Sequence, residues 1–172
     1  MKQKVSDYIA DRLAQEGISQ VFTVTGGGAM HLNDSLGHHP GLSCLYHHHE
    51  QAAAMAAEAY ARVDNRMAAV CVTSGPGATN AITGALCAWM DSIPMLVLSG
   101  QVRYDTTVRH SGLKIRTMGV QEYDITPSVE PMTKYAVMVT DPLTIRYHLE
   151  RAIYLAKTGR PGPCWLDLPL NV

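Results

Sequence analysis

A few short segments carry residues whose types and spacing could do chemistry. Glu50 follows an apolar stretch at residues 42–46 and opens an alanine-rich one at 50–62. A carboxylate there can simply serve the helix dipole. Walled by small apolar residues, it would instead be desolvated, with a raised pKa that suits proton exchange near neutrality. Gly26-Gly27-Gly28 lets a backbone approach a flat ligand, or makes a tight turn. It is not a dinucleotide fingerprint, because His31 stands where the last glycine of G-x-G-x-x-G belongs. Thr73-Ser74-Gly75-Pro76-Gly77-Ala78-Thr79-Asn80 could start a helix and face an anion, but it lacks the P-loop lysine. Pro76 also removes an N–H, so a neutral aromatic ligand fits better than a phosphate. His47, His48 and His49 point to alternate faces of an extended chain and cannot converge on one ion, so no metal site is expected.

The elements that must position these residues alternate. Apolar spacing predicts helices over 2–16, 29–36, 50–62, 76–90 and 142–157. Strands are predicted over 20–24, 42–46, 68–73, 94–99, 134–139 and 164–168. Alternation with short connections implies an α/β domain whose parallel sheet is covered on both faces. In such sheets ligands bind beyond the carboxyl ends of the strands, and the segments around Gly28, Glu50, Thr73 and Gln101 all fall there. The exception is a polar stretch at 101–117 with no clear periodicity.

Composition bounds the class. Fourteen Lys+Arg against fifteen Asp+Glu give a net charge of −1, without the basic footprint of a nucleic-acid binder. Hydrophobic residues at 47% and charged residues at 17% exclude disorder and imply an apolar partner surface. Cys44, Cys71, Cys87 and Cys164 form no C-x-x-C pair and read as buried free thiols of a reducing compartment. Met1-Lys2-Gln3-Lys4 has no apolar segment after it, and no apolar run approaches the ~18 residues of a membrane span. A cytoplasmic protein with no membrane contact is expected.

Taken together, these segments resemble a known family. Besides those named, they include His49-Glu50-Gln51-Ala52-Ala53, Met90-Asp91-Ser92-Ile93-Pro94, Ser99-Gly100-Gln101, Val120-Gln121-Glu122-Tyr123-Asp124 and Gly159-Arg160-Pro161-Gly162-Pro163. In this order they look like the N-terminal pyrimidine-binding (PYR) domain of thiamine-diphosphate enzymes, acetolactate synthase-like, over residues 1–172. The resemblance implies a three-layer α/β/α domain with a six-stranded, mainly parallel sheet. It implies that Glu50 bonds N1′ of the cofactor's aminopyrimidine and shares a proton there. It places Gly27 and Gly28 on the loop approaching the cofactor, and Thr73, Pro76 and Asn80 around the pyrimidine. Gln121 then faces the substrate, and Lys134 lies near the substrate channel.

The same resemblance implies what lies elsewhere. The family holds the diphosphate and Mg²⁺ on a further domain bearing Gly-Asp-Gly, which does not occur in this sequence. The partner is thus the diphosphate-binding domain of a second subunit, in a homodimer or tetramer, with an apolar face around Glu50 and an inactive chain in isolation. FAD is left undecided, because the family's flavin contacts lie largely in another domain. The substrate class is a 2-keto acid, for carboligation or decarboxylation. Two departures bear on the reaction: Thr25-Gly26-Gly27-Gly28 replaces Pro-Gly-Gly-Ala, and Gly119-Val120 replaces Ala-Phe. A separate α subunit of a split decarboxylase and a non-catalytic assembly domain are the alternatives.

Overall fold

The structure, a computed structural model, describes residues 3–172. Met1 and Lys2, including the first residue of the helix expected at 2–16, lie outside the described residues. The chain runs α1 (Val5–Gln15), β1 (Gln20–Thr23), α2 (Met30–His38), β2 (Ser43–Tyr46), α3 (Glu50–Asp64) and β3 (Ala68–Val72). It continues with α4 (Pro76–Asn80), α5 (Ile82–Asp91), β4 (Met95–Gln101), α6 (Val108–Ser111) and α7 (Thr126–Val129). The last elements are β5 (Tyr135–Met138), α8 (Ile145–Lys157) and β6 (Pro163–Pro169). Six strands form one sheet in the order β2-β1-β3-β4-β6-β5. Every recorded pairing is parallel.

The apolar pattern explains the layers. β3, β4 and β6 are buried along their whole length, as continuous apolar strands covered on both faces must be. Alternate residues feed two cores. Leu96, Leu98 and Leu166 meet Ile9 and Leu13 of α1, Leu36 of α2 and Leu149 of α8. Met95, Val97 and Trp165 meet Ala53 and Ala57 of α3 and Ala85 and Ala88 of α5. The second core is built from small side chains, so its helices lie backbone to backbone. A Cβ at Gly84 would sit 2.5 Å from Ala54 Cβ and 2.6 Å from its carbonyl carbon. β2 is an edge strand with Leu45 and Tyr46 exposed.

Some expectations are corrected. The helix expected over 76–90 is two helices, because a tight turn from Ala81 N to Ala78 O (3.1 Å) breaks it. Residues 142–157 begin as a 3₁₀ turn, Pro142–Thr144, capped by Asp141 Oδ1 on Leu143 N (2.9 Å), before α8. The 101–117 stretch contains a 3₁₀ turn at Tyr104–Thr106 and α6, whose first turn is capped by the Thr107 hydroxyl. The four cysteines are free, but only Cys71 and Cys164 are buried. Burial pushes both of those thiols up to about 12, which keeps them unreactive. Among the described residues no helix is long and apolar enough to cross a membrane.

Candidate active site

The sheet reverses its winding between β1 and β3. The chain leaves β1 into α2 on one face and leaves β3 into α4 and α5 on the other. A crevice opens beyond the carboxyl ends of these two strands, where such sheets bind ligands. The glycine triplet lies on one side, with Gly27 starting a 3₁₀ turn, and Thr73-Ser74-Gly75 lies on the other. They touch. Gly28 N donates to Thr73 Oγ1 at 3.0 Å. A Cβ at Gly26 would sit 2.4 Å from Thr73 Cβ, and one at Gly28 would sit 2.9 Å from Ser74 Oγ. Gly100, at the end of β4, lies under the Gly28 carbonyl, where a Cβ would come within 2.2 Å. Only glycine permits this approach, so the triplet is more than a turn.

Glu50 is the first residue of α3. His49 caps that helix, its Nδ1 accepting from Gln51 N at 3.1 Å, and His47 Nδ1 lies 2.9 Å from Leu45 O. Both histidines are locally hydrogen-bonded. Asn80 Nδ2 donates to Glu50 Oε2 at 2.9 Å, so the end of α4 fixes the carboxylate. Oε1 has no hydrogen-bond partner among the described residues and lies over Gly77, 3.2 Å from where a Cβ would stand. The same Cβ would meet Thr73 Cγ2 at 2.6 Å, so Thr73, Gly77 and Glu50 wall one small cradle. The expectation of a buried carboxylate is corrected: Glu50 is half-buried, open on the side of exposed Gln51 and Ala52.

Gln121 joins the group from the other side. It has φ +58°, unusual for a residue with a side chain, and its carbonyl packs on Gly75, itself at φ +54°. A Cβ at Gly75 would come within 2.1 Å of that carbonyl oxygen. Gln121 separates two cavities. One of about 350 Å³ is lined by Gly27, Gly28, Val120 and Gln121, and one of about 580 Å³ by Pro76, Thr79, Arg116 and Gln121. Lys134 is not brought together with the others. It immediately precedes β5, its N–H donating to Pro163 O, so it sits at the amino edge of the sheet, opposite the crevice. Its Nζ is held there by Thr158 O at 2.5 Å.

Sequence reasoning missed Gly77, Ser74, Gly100 and the cap at His49. The glycines stood in the quoted motifs, but a close approach between distant segments has no local signal. Histidine is also a rare helix cap. Among the described residues no three His, Cys, Asp or Glu side chains converge as a metal-binding group.

A family model described as thiamine pyrophosphate enzyme, N-terminal TPP binding domain, matches residues 3–123, which include every residue of the crevice but not Lys134. The chain is 38% identical over 167 residues to the acetolactate synthase large subunit of Lactococcus lactis, covering 97% of this chain and 28% of that protein. Acetolactate synthase isozyme 3 large subunit of Escherichia coli gives the same identity and coverage. Chloroplastic acetolactate synthase 1 of Oryza sativa is 34% identical over 173 residues, 99% of this chain and 25% of that one. The chain thus spans about a quarter of the length of these relatives.

Proposed function

Because the chain belongs to the thiamine pyrophosphate enzymes through their N-terminal TPP-binding domain, we propose that it is the pyrimidine-binding half of a cytoplasmic, acetolactate synthase-like 2-keto acid carboligase or decarboxylase. The observation that carries this reading is the Glu50 carboxylate, fixed through Oε2 by Asn80 and free at Oε1 over the Gly77 cradle. A ring nitrogen is the kind of partner that a lone carboxylate oxygen in a flat, glycine-lined crevice can take. Thr73, Pro76 and Asn80 line the aminopyrimidine, and Gly27 and Gly28 let the backbone come close to the rest of the cofactor.

When bound, thiamine diphosphate supplies the carbon nucleophile and the electron sink that decarboxylation of a 2-keto acid requires. This chain's own residues do three things. Glu50 holds a proton between Oε1 and the pyrimidine nitrogen, and Asn80 keeps the carboxylate turned toward it. The small side chains of α3 and α5 bring Glu50 and Gly77 into one cradle. Gln121 faces the substrate across the cavity beside Gly28.

The diphosphate and Mg²⁺ fall to the diphosphate-binding domain of a second subunit, in a homodimer or tetramer. That domain covers the open side of Glu50 and supplies the burial that this chain alone does not. Residues 1–172 are then one domain of a longer enzyme, inactive in isolation. Lys134, at the far edge of the sheet, has no part in this reading.

The test is Glu50→Gln in the complete enzyme. Turnover of pyruvate is expected to fall by about 10²–10⁴-fold, the range for a lost acid–base group, with thiamine diphosphate still bound by calorimetry. Undiminished turnover would remove Glu50 from the chemistry and leave an assembly domain as the better reading.

A further inference from the structure

Residues 102–123 leave the end of β4 and return to it, and one buried side chain pins both ends. Gln101 is the last residue of β4 and is 1% exposed. Its Oε1 accepts from Val102 N at 3.0 Å, at the start of the loop. Its Nε2 donates to Tyr123 O at 2.8 Å, at the end of the loop. The same Nε2 donates to Asp167 Oδ2 at 3.0 Å. Asp167 is fully buried on β6, and its Oδ1 accepts from Ser99 Oγ at 2.6 Å. Ser99 Oγ in turn accepts from Trp165 Nε1 at 2.8 Å.

This network fixes which way the Gln101 amide points. A side-chain amide can turn over, but the Tyr123 carbonyl only accepts and the Val102 N–H only donates, so the NH₂ must face Tyr123 and the amide oxygen Val102. That leaves its second hydrogen for Asp167 Oδ2, which ties the amide to β6. Between Tyr123 and the crevice the backbone is equally determined. The Glu122 carboxylate accepts from Val108 N at 2.6 Å, Met118 N at 2.8 Å and Gly119 N at 3.0 Å. The next residue is Gln121, in its left-handed conformation against Gly75. A side-chain-bearing residue keeps such a conformation only where its surroundings over-determine it.

We infer that Gln101, anchored by Asp167, is a positioning residue that holds Gln121 in the crevice through the backbone of Tyr123. Gln101 touches neither crevice nor cavity itself. It anchors the strained turn to the central strands β4 and β6. This rests on the reading of Gln121 as the residue facing the substrate.

A double-mutant cycle in the complete enzyme tests it, with the KM for pyruvate, thiamine diphosphate affinity and melting temperature as readouts. Gln121→Ala is expected to raise the KM about tenfold, the effect of one lost polar contact. Gln101→Met, similar in length but without the amide, is expected to raise it to a similar degree with cofactor affinity little changed. The double variant is expected to lie within about twofold of Gln121→Ala, because both changes remove one interaction. Ser99→Ala disturbs the same buried network without releasing Gln101. It is expected to lower the melting temperature and leave the KM unchanged, which a purely structural role for Gln101 would not predict of the pair. Should Gln101→Met not fold, Gln101→Asn keeps an amide beside Asp167 but is one methylene too short for Tyr123, and takes its place in the cycle. Effects of the two positions that multiply in the double variant would overturn the inference while leaving Gln121 at the substrate. An unchanged KM in Gln121→Ala would overturn the role of Gln121 and the inference with it.

Discussion

Replacing Asp167 with asparagine should reverse part of the protein's pH dependence of stability. Burial pushes the Asp167 carboxyl up to about 7 from 3.8, against the smaller opposing effects of the Ser99 and Gln101 hydrogen bonds. The folded protein therefore keeps this proton up to about pH 7, and the unfolded chain releases it near 3.8. Between those values the folded state binds more protons. The contribution of this group to stability is full below about pH 4 and is lost as pH rises through about 7. This is the opposite of a salt-bridged carboxylate. At about 1.36 kcal/mol per pH unit, the interval corresponds to about 4 kcal/mol.

The amide of Asp167→Asn does not titrate and keeps the shape of the carboxyl. Its oxygen can accept from Gln101 Nε2, and its NH₂ can face Ser99 Oγ, which has a second lone pair beside the one used by Trp165. The assay is urea unfolding of both proteins at fixed ionic strength from pH 4 to 8, followed by tryptophan fluorescence. Other titrating groups cancel in the difference. The stability of Asp167→Asn minus that of the parent is expected to rise with pH by about 4 kcal/mol. A difference that stays flat or falls would refute the account of Asp167 as a carboxyl held protonated by burial.

Two further outcomes follow from glycines in close contact. Gly84→Ala would drive a methyl to within 2.6 Å of the Ala54 carbonyl carbon, where backbone must move. Unfolding stability is expected to drop by about 1–3 kcal/mol, and an unchanged value would mean that α3 and α5 can part freely. Gly77→Ala would place a methyl 2.6 Å from Thr73 Cγ2 and 3.2 Å from Glu50 Oε1. In the complete enzyme it is expected to weaken thiamine diphosphate binding in calorimetry with little change in melting temperature, and a loss of fold without loss of affinity would contradict the cradle.

Much of this was legible in the sequence, for identifiable reasons. Residues 68–73 and 94–99 read as buried strands because both faces of a covered parallel sheet demand apolar side chains, and β3 and β4 are fully buried. Glu50, Thr73 and Gly28 read as a site because strand ends in a parallel sheet share one edge. What stayed hidden depends on distance in the chain. The Thr73–Gly28 bond spans 45 residues and the Gln101–Asp167 bond spans 66. No local pattern announces either. The break at Ala81 was signalled only weakly, by the poor helix formers Thr79, Asn80, Thr83 and Gly84 within an otherwise apolar, alanine-containing run. Lys134 is the instructive case. A residue that opens a parallel strand lies at the edge opposite the strand ends, so its distance from the crevice was implicit in the strand expected at 134–139.

The strand order also bears on how the domain is made. β6 follows β5 in the chain, yet it lies between β4 and β5 in the sheet. While a ribosome is still extending the chain toward Pro163, β4 has an open edge and β5 has no neighbour at all. That edge is long and wholly apolar, from Met95 to Leu98. Newly made chains must shield it, by a chaperone or by transient collapse, until the segment with Trp165 and Asp167 emerges and slots in. Because the same segment brings Asp167, the hydrogen-bond partner of Gln101, the sheet closes and the 102–123 loop gains its anchor in one event.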